Sequence, residues 1–351
     1  SADGAWVYLL SQRRGGVDVL RAASDGSAVE TVCAGDETHT EQFALAPDAT
    51  TLYTLRCDPA RPWDIWERRP GQPDDARPLT AVNAEPLAQR RLVAPERFEY
   101  DSFDGWRMEG WLYRPAPSAK GDAPLALKIH GGPHGAYGQS FYFGVQTLVG
   151  RGYAVLYTNP RGSVGYGQAF AQACDHDWGG ADYHDIMAGV DAALARGGLD
   201  AARLAVFGAS YGGYMTNWII GQSTRFRAAV TVNSVTNLVT SFGVGDTDSV
   251  WVEGDYGWPW EREAFYRERS PLTYVPRVTT PTRIIAAEND YRCPISQSEE
   301  LYTWLKKLGR APVDFVRMPG ASHGQHASPR QHIRALELEQ EWIARYCPAE
   351  G

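Results

Sequence analysis

Apolar and polar positions follow two different patterns along this chain, and the change falls near residue 90. Before it, short β-rich runs alternate with turns. Ala5-Trp6-Val7-Tyr8-Leu9-Leu10 follows the turn Ala2-Asp3-Gly4, and Thr51-Leu52-Tyr53-Thr54-Leu55 follows Pro47-Asp48-Ala49. Asp3 matches Asp48, Val7 matches Leu52 and Tyr8 matches Tyr53, a spacing of about 45 residues. Val17-Asp18-Val19-Leu20 matches Trp63-Asp64-Ile65-Trp66 at nearly the same spacing. Several short strands in a period of about 40 to 50 residues are the signature of a β-propeller blade; a small antiparallel meander is the plainer alternative. Two blades cannot close a ring, which takes at least about four. Residues 1–90 are therefore expected to be a partial propeller whose remainder lies outside this sequence.

From residue 91 the grammar changes. The segments 98–103 and 107–113 alternate like a hairpin around Asp104-Gly105. Nearly continuous apolar runs follow at 125–129, 154–158, 204–207, 228–232, 283–287 and 313–318. Amphipathic stretches at 183–196, 295–308 and 329–346 lie between or after them. Alternating β and α units with apolar strands predict an α/β domain over 91–351, a mostly parallel sheet with helices on both faces.

One turn in this domain carries chemistry. The run Leu204-Ala205-Val206-Phe207 leads straight into Gly208-Ala209-Ser210-Tyr211-Gly212-Gly213, with a helix expected from about Tyr214. Gly-x-Ser-x-Gly between strand and helix is the nucleophile turn of an α/β-hydrolase, where small neighbours let the turn pack on itself. A tight loop with a capping serine is the structural alternative. A serine hydroxyl needs a base, and in this fold the chain order is serine, acid, histidine. His323 follows the strand 313–318 and is the expected base, with His326 as its rival; His332 belongs to the last helix. The loop Glu288-Asn289-Asp290-Tyr291-Arg292-Cys293-Pro294 follows the strand 283–287. There Asp290 is the expected acid and Glu288 the alternative. Oxyanion donors are expected from the backbone N–H groups of Tyr211 and of Gly132 in His130-Gly131-Gly132-Pro133-His134-Gly135, with His130 bracing that loop.

Composition narrows the partners. A net charge of −8 argues against a nucleic-acid partner. No apolar run approaches the roughly 18 residues of a membrane span, and no secretion signal is visible, so no membrane partner is expected. The cysteines Cys33, Cys57, Cys174, Cys293 and Cys347 form no CxxC pair, which favours reduced thiols in the cytoplasm over zinc or disulfides. No metal and no cofactor are expected. An exposed edge of the partial propeller invites the missing blades or a second copy to pair, so a homo-oligomer is a further expectation.

With these residues in hand, the chain resembles the prolyl oligopeptidase family of serine peptidases, especially its acylaminoacyl-peptidase-like branch. The matching segments are His130-Gly131-Gly132-Pro133-His134, Asn159-Pro160-Arg161-Gly162-Ser163-Val164-Gly165-Tyr166-Gly167 and Gly208-Ala209-Ser210-Tyr211-Gly212-Gly213-Tyr214-Met215. Asn289-Asp290-Tyr291-Arg292-Cys293-Pro294 and Ser322-His323-Gly324 complete them. The resemblance implies a peptidase α/β-hydrolase domain after a propeller, residues 1 to about 85 being its last two blades. It implies short peptides as substrates and release of N-acylated amino acids. It also implies an apolar side-chain pocket built after the strand 228–232, where Val235, Leu238, Val250 and Trp251 are the candidates. Dipeptidyl, carboxypeptidase-like and oligopeptidase activities share these motifs, as does a carboxylesterase on the same fold. A non-enzymatic role is the remaining class, and the intact triad and glycines argue against it.

Overall fold

The computed structural model describes all residues except 36, 71, 73–74, 118–120, 247–255, 325–327 and 350–351. The described chain divides into two compact units. One contains residues 1–96 with 136–146 and 164–168, and the other contains 97–135, 147–163 and 169–351.

The first unit is antiparallel. Strands β1 (Trp6–Arg13), β2 (Gly16–Ala23) and β3 (Val29–Cys33) form a meander. A second meander runs β4 (His39–Leu45), β5 (Leu52–Asp58), β6 (Arg61–Arg68) and β7 (Arg77–Pro78). The two repeats noted in the sequence are the hairpins β1–β2 and β5–β6, in each of which consecutive strands pair antiparallel. These are strands of a partial β-propeller. Val19, Val32, Cys33 and Leu52 form the unit's buried cluster. Short segments from further along the chain join it: Gln139 N donates to Gly15 O at 2.8 Å and Arg14 N to Gly165 O at 3.0 Å.

The second unit is built on eight strands in the order β15-β14-β13-β12-β10-β11-β9-β8. These are β8 (Glu96–Asp101), β9 (Arg107–Tyr113), β10 (Ala123–Ile129), β11 (Ala154–Asn159), β12 (Leu199–Ala209), β13 (Phe226–Val232), β14 (Thr282–Ala287) and β15 (Val313–Met318). The pairs from β11 to β15 are parallel, whereas β9 runs antiparallel to β11. Every residue of β11 is buried, as expected where helices cover both faces of a parallel sheet. Helices Ala181–Ala195, Tyr211–Gln222, Ile295–Leu308 and Pro329–Tyr346 supply that cover.

Strand β12 starts at Leu199, five residues before its apolar run, because Leu199 and Asp200 pair with Ala123 and Pro124 at an end where the next residues are exposed. The helix after the nucleophile turn starts at Tyr211 rather than Tyr214. Gly212 and Gly213 hide that start in the sequence, since glycine is a poor helix former. Packing requires them: a Cβ on Gly212 would lie 2.3 Å from Ile129 O, and one on Gly213 would lie 2.6 Å from Ser234 Cβ.

Strand order places the site. From β10 the chain moves to β11 on one side, then crosses to β12 on the other. Loops leaving the carboxyl ends of β10 and β12 therefore diverge and open a crevice between them, which is where ligands bind in open α/β sheets. His130–Gly135 follows β10 and Ser210 follows β12.

Candidate active site

Ser210 has φ +60° and ψ −124°, a backbone conformation that costs a non-glycine residue strain. The surroundings enforce it. Ser210 N donates to Val232 O at 3.0 Å, and Tyr214 N donates to Ser210 O at 2.9 Å as the helix begins. A Cβ on Gly208 would lie 2.5 Å from Gly212 O, which accounts for the glycine two residues before the serine.

His323 lies in the loop after β15 and joins two partners from two other loops. Its Nδ1 is 2.8 Å from Asp290 Oδ2, and its Nε2 is 3.1 Å from Ser210 Oγ. A carboxylate only accepts, so Nδ1 carries the proton and the Nε2 lone pair faces the serine hydroxyl. Asp290 is fixed in turn: its Oδ1 accepts from Arg292 N at 2.9 Å and Cys293 N at 2.8 Å, and its side chain is inaccessible to solvent. Glu288, the alternative acid, turns away to Arg317 at 3.3 Å. His326 lies outside the described residues. His332 is exposed on the helix Pro329–Tyr346.

The glycine loop after β10 faces the serine. A Cβ on Gly131 would lie 3.5 Å from Ser210 Cβ, an ordinary van der Waals contact, so this backbone runs directly beside the serine side chain. Gly132 has φ +135°, and a Cβ there would meet His134 N at 2.5 Å. Tyr211 is the first residue of its helix, so its N–H has no intrahelical acceptor.

Behind the loop, His130 Nε2 lies 3.0 Å from Ser163 Oγ, whose hydroxyl donates to Pro160 O at 2.7 Å. Burial pushes the His130 imidazole down to about 4, so this ring is neutral near pH 7. Ser163 belongs to the segment held by Arg161, which bonds Asp185 through Nε at 2.8 Å and Asp104 through Nη1 at 2.9 Å. Residues 160–163 of the motif thus lie behind the glycine loop and meet it through His130.

A cavity of about 460 Å³ opens on Ser210, Tyr211, Gly131, Gly132 and His323. Its side wall is apolar, with Trp178, Val235, Leu238, Phe242, Tyr256 and Tyr266. Val235 and Leu238 are the two pocket candidates that the structure brings to this wall, whereas Val250 and Trp251 lie outside the described residues. The aromatic residues of the wall carry no signal in the sequence, because they come from segments with no fixed spacing to Ser210, Asp290 and His323. Asp182 carries none either; it is fully buried, and its Oδ2 accepts from Tyr211 Oη at 2.5 Å and from Gly179 N at 3.2 Å. Burial pushes the Asp182 carboxyl up to about 7, against the hydrogen bond from Tyr211.

A strained serine after a central parallel strand, with its histidine and aspartate on loops after later strands, defines the α/β-hydrolase class of fold. The chain belongs to the prolyl oligopeptidase family, whose model matches residues 139–349. It is 40% identical over 98% of its length to an uncharacterized peptidase of Bacillus subtilis, YuxL, of which it covers 52%. It is 30% identical over 70% of its length to the human acylamino-acid-releasing enzyme, covering 35% of that protein. Among solved structures, Pyrococcus horikoshii acylaminoacyl peptidase matches 99% of this chain with TM-score 0.90 and 29% identity, over 55% of its own chain. The chain thus spans about half the length, or less, of these relatives. No helix among the described residues is long and apolar enough to cross a membrane.

Proposed function

We propose that this protein is a serine peptidase that cleaves short peptides through an acyl-enzyme and releases N-acylated amino acids. One observation carries the reading: the chain of hydrogen bonds Asp290–His323–Ser210 ends at the mouth of an aromatic cavity.

His323 Nε2 takes the proton of Ser210 as Oγ attacks the scissile carbonyl carbon, and Asp290 stabilises the imidazolium that forms. The Tyr211 and Gly132 N–H groups face the developing oxyanion. His323 then returns its proton to the leaving amine, and a water activated by the same ring releases the acyl group.

The apolar wall suits a large apolar or aromatic side chain on the residue whose carbonyl is attacked. The resemblance to acylamino-acid-releasing enzymes supports an N-acyl group beyond it. Five buried cysteines, each outside any disulfide, agree with a reducing compartment such as the cytoplasm. A dipeptidyl-peptidase reading has a specific relative in its favour, dipeptidyl-peptidase 5 of Schizosaccharomyces pombe, 32% identical over 76% of this chain and 41% of that protein.

The test is hydrolysis of an N-acetylated phenylalanine anilide, an unblocked dipeptidyl anilide, a blocked dipeptide with a free carboxylate and an aryl ester. The acetylated anilide should be preferred. Preference for the unblocked dipeptide would move the assignment to a dipeptidyl peptidase, and turnover of the ester alone to an esterase.

A further inference from the structure

Beside the catalytic cavity stand three metal-ligand side chains that the triad does not use. His134, Cys174 and Asp175 each present one ligand atom, and all three atoms lie within 4.8 Å of one another. His134 Nε2 is 3.8 Å from Asp175 Oδ1. His134 also lines the cavity that holds Ser210.

The ring is held in the tautomer a metal requires. His134 Nδ1 lies 3.0 Å from Gly162 O. A carbonyl only accepts, so Nδ1 carries a proton and Nε2 is the ring atom left to face the thiol and the carboxylate. The same glycine packs on the sulfur: it has φ +102°, and a Cβ there would lie 2.5 Å from Cys174 Sγ. Gly162 therefore orients one ligand through its carbonyl and leaves room for a second through its missing side chain. Cys174 is buried, with its sulfur 3.9 Å from Ala171 O one turn back along the chain. Asp175 follows directly on the 3₁₀ turn Gln172–Cys174, so the two ligands share one anchored turn.

We propose that His134, Cys174 and Asp175 form a binding site for a thiophilic divalent cation of the Zn²⁺ class, open on its fourth position toward the cavity. Tetrahedral zinc with bonds of about 2.0–2.3 Å spaces its ligands about 3.3–3.8 Å apart. The His134–Asp175 edge, 3.8 Å, already fits, and closing an edge to the buried sulfur of up to 4.8 Å needs a movement of about 1 Å by the half-exposed histidine or the partly exposed aspartate. One thiolate, one imidazole and one carboxylate favour zinc over magnesium or calcium, which take oxygen ligands. Binding exchanges the thiol proton for the metal, so one proton is released per ion taken up by the neutral-imidazole form. A dication here sits two residues from Gly132, on the wall of the catalytic cavity. The site stands apart from the peptidase assignment and survives its failure.

An imidazolium paired with Asp175 would also account for those two residues, but it has no use for the thiol. Cys174 is therefore the discriminating residue. Zn²⁺ is titrated calorimetrically into the purified protein and into Cys174→Ser, His134→Ala and Ser210→Ala. Co²⁺ is then added to each as a spectroscopic probe. Wild type and Ser210→Ala should bind one ion with a thiolate-to-cobalt charge-transfer band. Cys174→Ser should lose the band and bind Zn²⁺ at least about tenfold more weakly, and His134→Ala should weaken binding similarly. Circular dichroism in chelator establishes that the variants are folded; should Cys174→Ser fail to fold, the charge-transfer band of wild type and its loss in His134→Ala carry the test. Absence of any ion in wild type, or binding unchanged in both ligand variants, would overturn the proposal.

Discussion

Two buried aspartates stand behind the site, Asp290 behind His323 and Asp182 behind Tyr211, and they are held in contrasting ways. Asp290 receives two backbone N–H groups on one oxygen and the His323 ring on the other, so every partner is a nitrogen donor aimed at a carboxylate. Asp182 receives two amides and the Tyr211 phenol, deep under the cavity wall, where burial outweighs those bonds and raises its carboxyl to about 7. The first sits in a loop at a strand's carboxyl end and meets His323, whose other ring nitrogen meets Ser210. The second sits behind a tyrosine and reaches the site only through it. In the proposed mechanism, placement by a strand end gives Asp290 a part in the chemistry, and placement under a wall gives Asp182 a part in shape.

The strongest way to break this contrast lies at the first aspartate's end. Ser210→Ala should lower turnover about a millionfold, to the background rate, with an unchanged melting temperature. His323→Ala should be nearly as damaging. Asp290→Asn should lower kcat about ten-thousandfold with little change in KM, since the amide disturbs the tautomer that faces Ser210. A near-wild-type Asp290→Asn would transfer the role to Glu288, whose own Glu288→Gln should otherwise leave kinetics within about twofold, the carboxylate being occupied by Arg317.

A smaller effect sharpens the view of the glycine loop. Ser163→Ala removes the hydroxyl that meets His130, and kcat should fall roughly tenfold while KM for a small ester holds steady. An unchanged kcat would show that the loop keeps its position without this support.

The smallest effect concerns the second aspartate and is read in stability. Between its ordinary 3.8 and about 7, folded Asp182 holds a proton that the unfolded chain has released, so stability declines as pH rises through that window. Asp182→Asn has no such proton. Its melting temperature relative to wild type should therefore climb from about pH 4 to pH 7 and level off above. His130 acts in the opposite sense, losing stability as pH falls from 6.5 toward about 4, but it is common to both proteins and cancels in the difference. A gap that does not move with pH would contradict the buried, neutral acid.

The same contrast explains what is legible in the sequence. Ser210, Asp290 and His323 each follow an apolar strand by a few residues, and chain order with loop position assigns each an expected role, leaving Glu288 and His326 as the alternatives. The strands of the parallel sheet are legible because burial on both faces makes them continuous apolar runs. Tyr256, Tyr266, Phe242 and Trp178 are not, because their only common property is the cavity they enclose. Asp182 lies just before the amphipathic stretch 183–196, and nothing local signals that Tyr211 lies over it. The start of the helix at Tyr211 is hidden by two glycines that exist for packing, not propensity. Residues 136–146 and 164–168 fold with the first unit although the sequence places both between strands of the α/β domain.

The most direct measurement is covalent labelling with a fluorophosphonate, followed by intact mass and peptide mapping. One phosphonyl group per chain is expected, on Ser210, absent from Ser210→Ala and formed far more slowly in His323→Ala. Labelling at another residue, or equal labelling of Ser210 without His323, would contradict the triad assignment.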